Sequence, residues 1–207
     1  MRLALMASGT GSNVEVLLSE KQAGNLPLVE WALLGCDRPD APVIQKASSR
    51  GLKTWVHSPS EFADKTHYEK SLHQVFSEHE VDGIVLAGYM RLIGPTLLEH
   101  WEGHIINLHP SLLPSFPGQH SVQDALQYRV KLTGCTVHFV DDEIDTGRII
   151  AQESVPIFSA DTIETLGKRI HRAEHSLLPK TVHRWSERGF YLKDKIVHFV
   201  DEVGETI

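Results

Sequence analysis

Four short apolar runs in the first 87 residues, separated by stretches with helical spacing, constrain the fold of this sequence more than any other feature. Residues 3–7 lead into 13–21, where Val14, Leu17 and Leu18 recur at helical intervals, and residues 29–34 lead into 43–49. Residues 53–56 lead into a long helix expected over 60–80, opening at a cap in Ser58-Pro59-Ser60-Glu61. Residues 83–87 are fully apolar, as a strand buried on both faces should be. This β-α-β-α-β-α-β rhythm predicts an α/β fold with a parallel sheet and right-handed crossovers.

The second half breaks the rhythm. Residues 104–108 read as a central strand, after which Pro110, Pro114 and Pro117 enforce an extended loop. Residues 121–129 are expected to be helical. Residues 135–140 and 149–155 alternate like an antiparallel pair turning at Asp145-Thr146-Gly147. Residues 161–188 read as a long amphipathic helix containing Pro179, and 191–199 as a terminal hairpin. No linker separates two domains, so residues 1–207 are expected to form one, with halves at about 1–100 and about 101–207.

The chemistry expected of such a chain is narrowed by its charge. Lys and Arg number 20 against 27 Asp and Glu, a net charge of −7, so it lacks the basic footprint of a nucleic-acid binder. It has no run of 18 apolar residues, and the start is too brief for a signal peptide, so no membrane association is expected. Cys36 and Cys135 are too few for a disulfide scaffold and fit a reducing, cytoplasmic setting.

Ser8-Gly9-Thr10-Gly11-Ser12-Asn13 lies between the first strand and the first helix. Glycines let backbone approach a ligand, and a helix start offers unpaired N–H groups to an anion. The dinucleotide fingerprint would place a third glycine where Val14 stands, so a monophosphate is favoured over a pyrophosphate. A tight turn without ligand is the other reading of this loop.

Asn107-Leu108-His109-Pro110 carries the second signal. Residues two apart on a strand face the same side, which pairs an amide donor with an imidazole, a device suited to holding an oxyanion. Pro110 leaves His109 at the strand's C-terminal end, where open sheets bind ligands. The turn carrying Asp145, 36 residues on, is positioned to return a carboxylate to the imidazole. The other reading is a hydrogen-bonded core histidine beside a solvated turn. His171 and His175 stand four apart, but Glu174 adjoins the second, unlike the zinc-protease order, so no metal is expected. No G-x-S-x-G nucleophile elbow occurs.

Together with Ala87-Gly88-Tyr89-Met90-Arg91-Leu92, residues 107–114 followed by Phe116-Pro117-Gly118, and Val137-His138-Phe139-Val140 with Asp145-Thr146-Gly147, the sequence resembles the folate-dependent phosphoribosylglycinamide (glycinamide ribonucleotide) formyltransferases of purine synthesis. The resemblance covers nearly the whole chain. It implies a Rossmann-like formyltransferase fold and transfer of a formyl group from 10-formyltetrahydrofolate to the amine of glycinamide ribonucleotide, without metal. It implies Asn107, His109 and Asp145 as catalytic residues and Gly11, Ser12 and Asn13 as the phosphate site. It further implies Glu174 as a ribonucleotide carboxylate, and Met90, Arg91, Leu92, Ile93, Val140 and Asp141 as folate-pocket residues. His171, His120 and His138 are assigned no chemistry.

A second reading is hydrolysis of 10-formyltetrahydrofolate, with water in place of the amine. Deformylases of this type carry an extra N-terminal regulatory domain and depart from the Asn-x-His-Pro-Ser wording, whereas here the first strand begins at Arg2. Methionyl-tRNA formyltransferases add an RNA-binding domain, which a charge of −7 suits poorly. A monomer or a homodimer fits the sequence equally.

Overall fold

A computed structural model describes residues 1–193 and 196–199 of the chain. Seven strands form a mixed, mostly parallel sheet flanked by helices, with an antiparallel C-terminal part; in order across the sheet they are Thr54–Val56, Glu30–Cys36, Arg2–Met6, Gly83–Leu86, Ile105–His109, Leu132–Phe139 and Ile149–Pro156. The expected fold class is observed. The chain divides into two compact units, Met1–Ile106 with Val140–Asp142, and Asn107–Phe139 with the chain from Glu143 onward.

The first unit holds β1 (Arg2–Met6), α1 (Ser12–Gln22), β2 (Glu30–Cys36), α2 (Pro42–Ser48), β3 (Thr54–Val56), α3 (Lys65–Glu78), β4 (Gly83–Leu86) and α4 (Pro95–Trp101). β1 pairs in parallel with β2 and β4, and β2 with β3. This is the arrangement that alternating apolar runs and helices demand, since a parallel neighbour needs a crossover. Leu72, Phe76, Ile84, Leu97 and Ile105 are almost completely buried in one core cluster.

Two expectations need correction here. The helix expected over 60–80 is broken: Pro59–Glu61 makes a single 3-10 turn, closed by a Ser58–Glu61 capping box. α3 starts afresh at Lys65, where the Asp64 carboxylate accepts the His67 N–H at 2.9 Å. Phe62 is extended between the two, its ring against Trp55 and Tyr68, so tertiary packing overrides continuous helical spacing. The second difference is α4, which the sequence reading passed over. It is short, and its signal was Pro95, at the first helical position, where a missing N–H costs nothing.

The strand β5 (Ile105–His109) begins in the first unit and ends in the second. The second unit continues with α5 (Ser121–Tyr128), β6 (Leu132–Phe139), β7 (Ile149–Pro156), α6 (Ile163–Arg188), β8 (Phe190–Lys193) and β9 (Ile196–Phe199). β6 and β7 pair antiparallel with a register shift at Val137/His138, and β8 and β9 form the terminal hairpin; residues 194 and 195 of that stretch lie outside the described residues. α6 starts at a Thr162 cap, where the Thr165 N–H donates to the hydroxyl, and runs through Pro179. Its apolar stripe, including Leu166, Ile170, Leu178 and Val182, is buried, and the helix packs on β6 and β7.

Candidate active site

The end of β5 builds the chemical centre of the second unit. Leu108 faces the core and is buried, so alternation sends Asn107 and His109 to the other side. His109 is 4% exposed. Its Nε2 donates to the Phe116 carbonyl at 2.9 Å, and its Nδ1 lies 3.3 Å from Asp145 Oδ2. The other carboxylate oxygen of Asp145 is 3.6 Å from Nε2 of His138, which in turn is 3.2 Å from Nδ2 of Asn107. A carbonyl accepts and never donates, so His138 Nδ1 donates to Phe139 O at 2.7 Å. His109 directly, and Asn107 through His138, thus reach the Asp145 carboxylate from the turn 36 residues beyond His109.

Backbone conformation delivers the carboxylate. Asp145 adopts a left-handed conformation with φ 55°, as does Phe116, an arrangement that aspartate tolerates better than most residues. The Gly118 N–H donates to Asp145 Oδ2 at 2.8 Å. Burial pushes the Asp145 carboxyl up, but the contact with His138, the Gly118 N–H and the nearby His109 outweigh it and hold the group below its ordinary value. The turn is tight: a Cβ on Gly147 would stand 1.7 Å from the Phe139 carbonyl oxygen. Only glycine lets the turn close there.

The proline-rich loop after His109 is pinned by groups that sequence reasoning missed. Thr136 Oγ1 donates to Ser111 O at 2.7 Å and accepts from Leu113 N at 3.1 Å, while Gln152 Nε2 donates to Leu113 O at 2.9 Å. Thr136 is fully buried, a polar group that must be paired. Its signal is a threonine inside the strand expected over 135–140. His138 was noted in the sequence without a role, because its partners depend on where the turn folds.

The first unit carries the glycine loop. Gly11 caps α1 in a left-handed conformation, φ 70°, and no side chain caps that helix. The first intrahelical bond runs from Glu15 N to Gly11 O, so the start of the helix offers its N–H groups as an anion site does. A Cβ on Gly11 would lie 2.2 Å from Val43 Cγ2; packing against α2 therefore requires this glycine, in addition to any ligand. Gly9, by contrast, faces open space. Ser12 is half-buried and Asn13 buried.

Met90 and Leu92 stand exposed at 62% and 60% on the segment after β4. With Arg91 and Ile93 they line a cleft of about 520 Å³, which Phe62, Lys65, Tyr68 and Glu69 of the same unit also line. Arg91 Nε donates to the buried Asp37 carboxylate at 2.6 Å. Val140 lies apart from that lining: it packs on the core cluster, as Ile93 does, and its N–H donates to Ile105 O. Asp141 is half-buried beside it.

Glu174 is buried on α6, 3% exposed, with His171 Nδ1 2.8 Å from its Oε2. That contact raises the His171 imidazole above its ordinary value against the opposing effect of burial, while burial lowers His175. His120 is exposed at the start of α5. Among the described residues no group of three or more His, Cys, Asp or Glu could hold a metal ion, and no helix is long and apolar enough to cross a membrane.

Comparison with known proteins decides the family: residues 1–182 match the model of the formyl transferase family. The chain belongs to the formyl transferase family. It is 44% identical over 181 residues to the phosphoribosylglycinamide formyltransferase of Bacillus subtilis (strain 168), covering 87% of this chain and 92% of that protein. It is 38% identical to the trifunctional purine biosynthetic protein adenosine-3 of Gallus gallus, matching 86% of this chain and 18% of that longer protein. Among solved structures, the phosphoribosylglycinamide formyltransferase from Bacillus Halodurans superposes with a TM-score of 0.87 at 45% identity, over 90% of this formyl transferase and 96% of the other chain.

Proposed function

We propose that this formyl transferase moves the formyl group of 10-formyltetrahydrofolate to the primary amine of glycinamide ribonucleotide, a step of purine biosynthesis. The single observation that carries the reading is the 3.3 Å approach of Asp145 to His109, next to Asn107. Supporting it are the activities for which the relatives are named and the helix start after Gly11.

The reaction asks for three things. The amine attacks the formyl carbon, the carbonyl oxygen becomes an oxyanion, and the bond to N10 breaks as the proton lost by the amine ends on N10. His109 Nε2–H, whose partner in the free protein is the Phe116 carbonyl, is the donor offered to the oxyanion. The Asn107 amide is the second donor, and Asp145 orients the imidazole from its other nitrogen. Backbone N–H groups at Gly11, Ser12 and Asn13 hold the ribonucleotide phosphate. Glu174, already buried and paired with His171, accepts hydroxyl donors of the same substrate. Met90, Arg91, Leu92 and Ile93, with Val140 and Asp141, form the folate walls, and the exposed Met90 and Leu92 side chains offer apolar surface to an aromatic ring. The two buried free cysteines fit a cytoplasmic enzyme, acting as a monomer or homodimer.

A formyl-release assay with and without glycinamide ribonucleotide tests this reading. Tetrahydrofolate formation that requires the ribonucleotide is the expected result. Release at an equal rate without it overturns the proposal in favour of 10-formyltetrahydrofolate hydrolysis.

A further inference from the structure

We propose that Ser8 is a positioning residue that couples ribonucleotide binding to folate binding; this deepens the functional reading above and rests on it. Ser8 is 1% exposed and stands at the start of the glycine loop, two residues after the end of β1. Its own N–H donates to Gly88 O at 3.0 Å, and its hydroxyl accepts the N–H of Met90 at 2.9 Å. One buried side chain thereby ties the loop that begins the phosphate site to the first residue of the folate segment. The tie is possible because β1 and β4 are parallel neighbours, Met6 opposite Leu86, so the loops leaving their C-terminal ends run side by side.

The rest of the segment is held independently. Arg91 is drawn to Asp37 at 2.6 Å, and the Gly94 N–H donates to Glu69 Oε1 at 2.6 Å, with Leu97 N 3.3 Å from Oε2. None of these three contacts touches residues 8–13. Ser8, in the glycine loop, is the partner in this set that bonds across to the 90–93 segment. A ligand that orders residues 90–93 therefore orders the backbone at Ser8, three residues before Gly11, and the reverse holds by thermodynamic linkage.

Titration calorimetry with glycinamide ribonucleotide and tetrahydrofolate, a pair without a formyl group to transfer, tests the coupling. In the unaltered protein each ligand is expected to tighten the other by about fivefold or more. Ser8→Ala keeps the N–H bond to Gly88 and deletes the acceptor for Met90. It is expected to abolish the mutual tightening and to raise KM for both substrates by about tenfold, with a smaller change in kcat. Should Ser8→Ala not fold, Ser8→Cys, which keeps the shape and weakens the acceptor, carries the same test. Glu69→Gln, acting at the far end of the segment, is expected to raise KM for the folate and to leave the coupling in place.

An unaltered protein whose ligands bind independently, or a Ser8→Ala protein that retains the full mutual tightening, overturns the inference. A mere loss of thermal stability with both KM values unchanged overturns it as well. Ser12→Pro, which deletes one of the proposed backbone donors at a first helical position that tolerates proline, separates this failure from failure of the underlying reading. If it leaves ribonucleotide affinity unchanged, the phosphate-loop assignment falls and the inference with it. If Ser12→Pro weakens that affinity while Ser8→Ala preserves coupling, Ser8 has no such role and the functional reading stands.

Discussion

Asp145 Oδ2 stands 3.3 Å from Nδ1 of His109 while accepting the Gly118 N–H at 2.8 Å, so one carboxylate oxygen anchors both the imidazole and the loop beyond it. Asp145→Asn keeps the size and the tolerance for left-handed backbone but removes the carboxylate charge that faces Nδ1 of the imidazole. Its kcat is expected to fall about 10³–10⁴-fold, the scale seen when an imidazole loses its orienting carboxylate. The circular dichroism spectrum should stay unchanged. Steady-state kinetics within tenfold of the parent protein would remove Asp145 from the chemistry.

His109→Ala should be equally damaging, since it deletes the donor directed at the developing oxyanion. The double variant with Asp145→Asn is expected to cost little more than either change by itself, because the two groups act as a unit. Additive losses in single-turnover rates would show that they act separately.

The direction of the Asp145 shift gives a pH prediction. A carboxyl depressed in the folded protein contributes stability that is fully present above its unfolded value, near ~3.9 for aspartate. The contribution is lost as pH falls through the lower folded value. Any acid limb of kcat between about pH 5 and 7 therefore belongs to a group other than Asp145. Carbon-13 NMR of the labelled carboxyl, followed down from neutral pH, should show Asp145 still ionised below ~3.9. A titration midpoint above that value would contradict the depressed state.

Gly147→Ala places a methyl carbon against the Phe139 carbonyl, where 1.7 Å leaves no room, so the turn must move and carry Asp145 with it. A stability loss of about 1–3 kcal/mol is expected in urea denaturation, accompanied by a larger proportional loss of kcat. Full activity in a destabilised variant would mean that the turn relaxes without displacing the carboxylate.

Cys135 is buried, and desolvation together with the charges of Glu174 and Glu153 pushes its thiol up to about 12. The thiolate is the reactive species, so a thiol reagent at neutral pH should label Cys135 only after denaturant is added. Rapid labelling of the native protein, located by peptide mass, would refute this burial.

Local pattern carried the succession of elements a long way. Alternating apolar runs and helical spacings located β1 through β4 and α1, the alternation of residues 149–155 located β7, and the asparagine two before His109 marked a shared face. These features depend on periods of two and 3.6 residues, which the chain displays without reference to distant parts. The break at Phe62, by contrast, depends on Trp55 and Tyr68, which no local window contains. The approach of Asp145 to His109 depends on a left-handed turn whose glycine clears a carbonyl from the preceding strand. The recruitment of His138, and the bond from Met90 to Ser8 across 82 positions, likewise arise from contacts between remote segments. Periodicity says which face a side chain occupies; which partner waits there is decided only when the strands are assembled side by side.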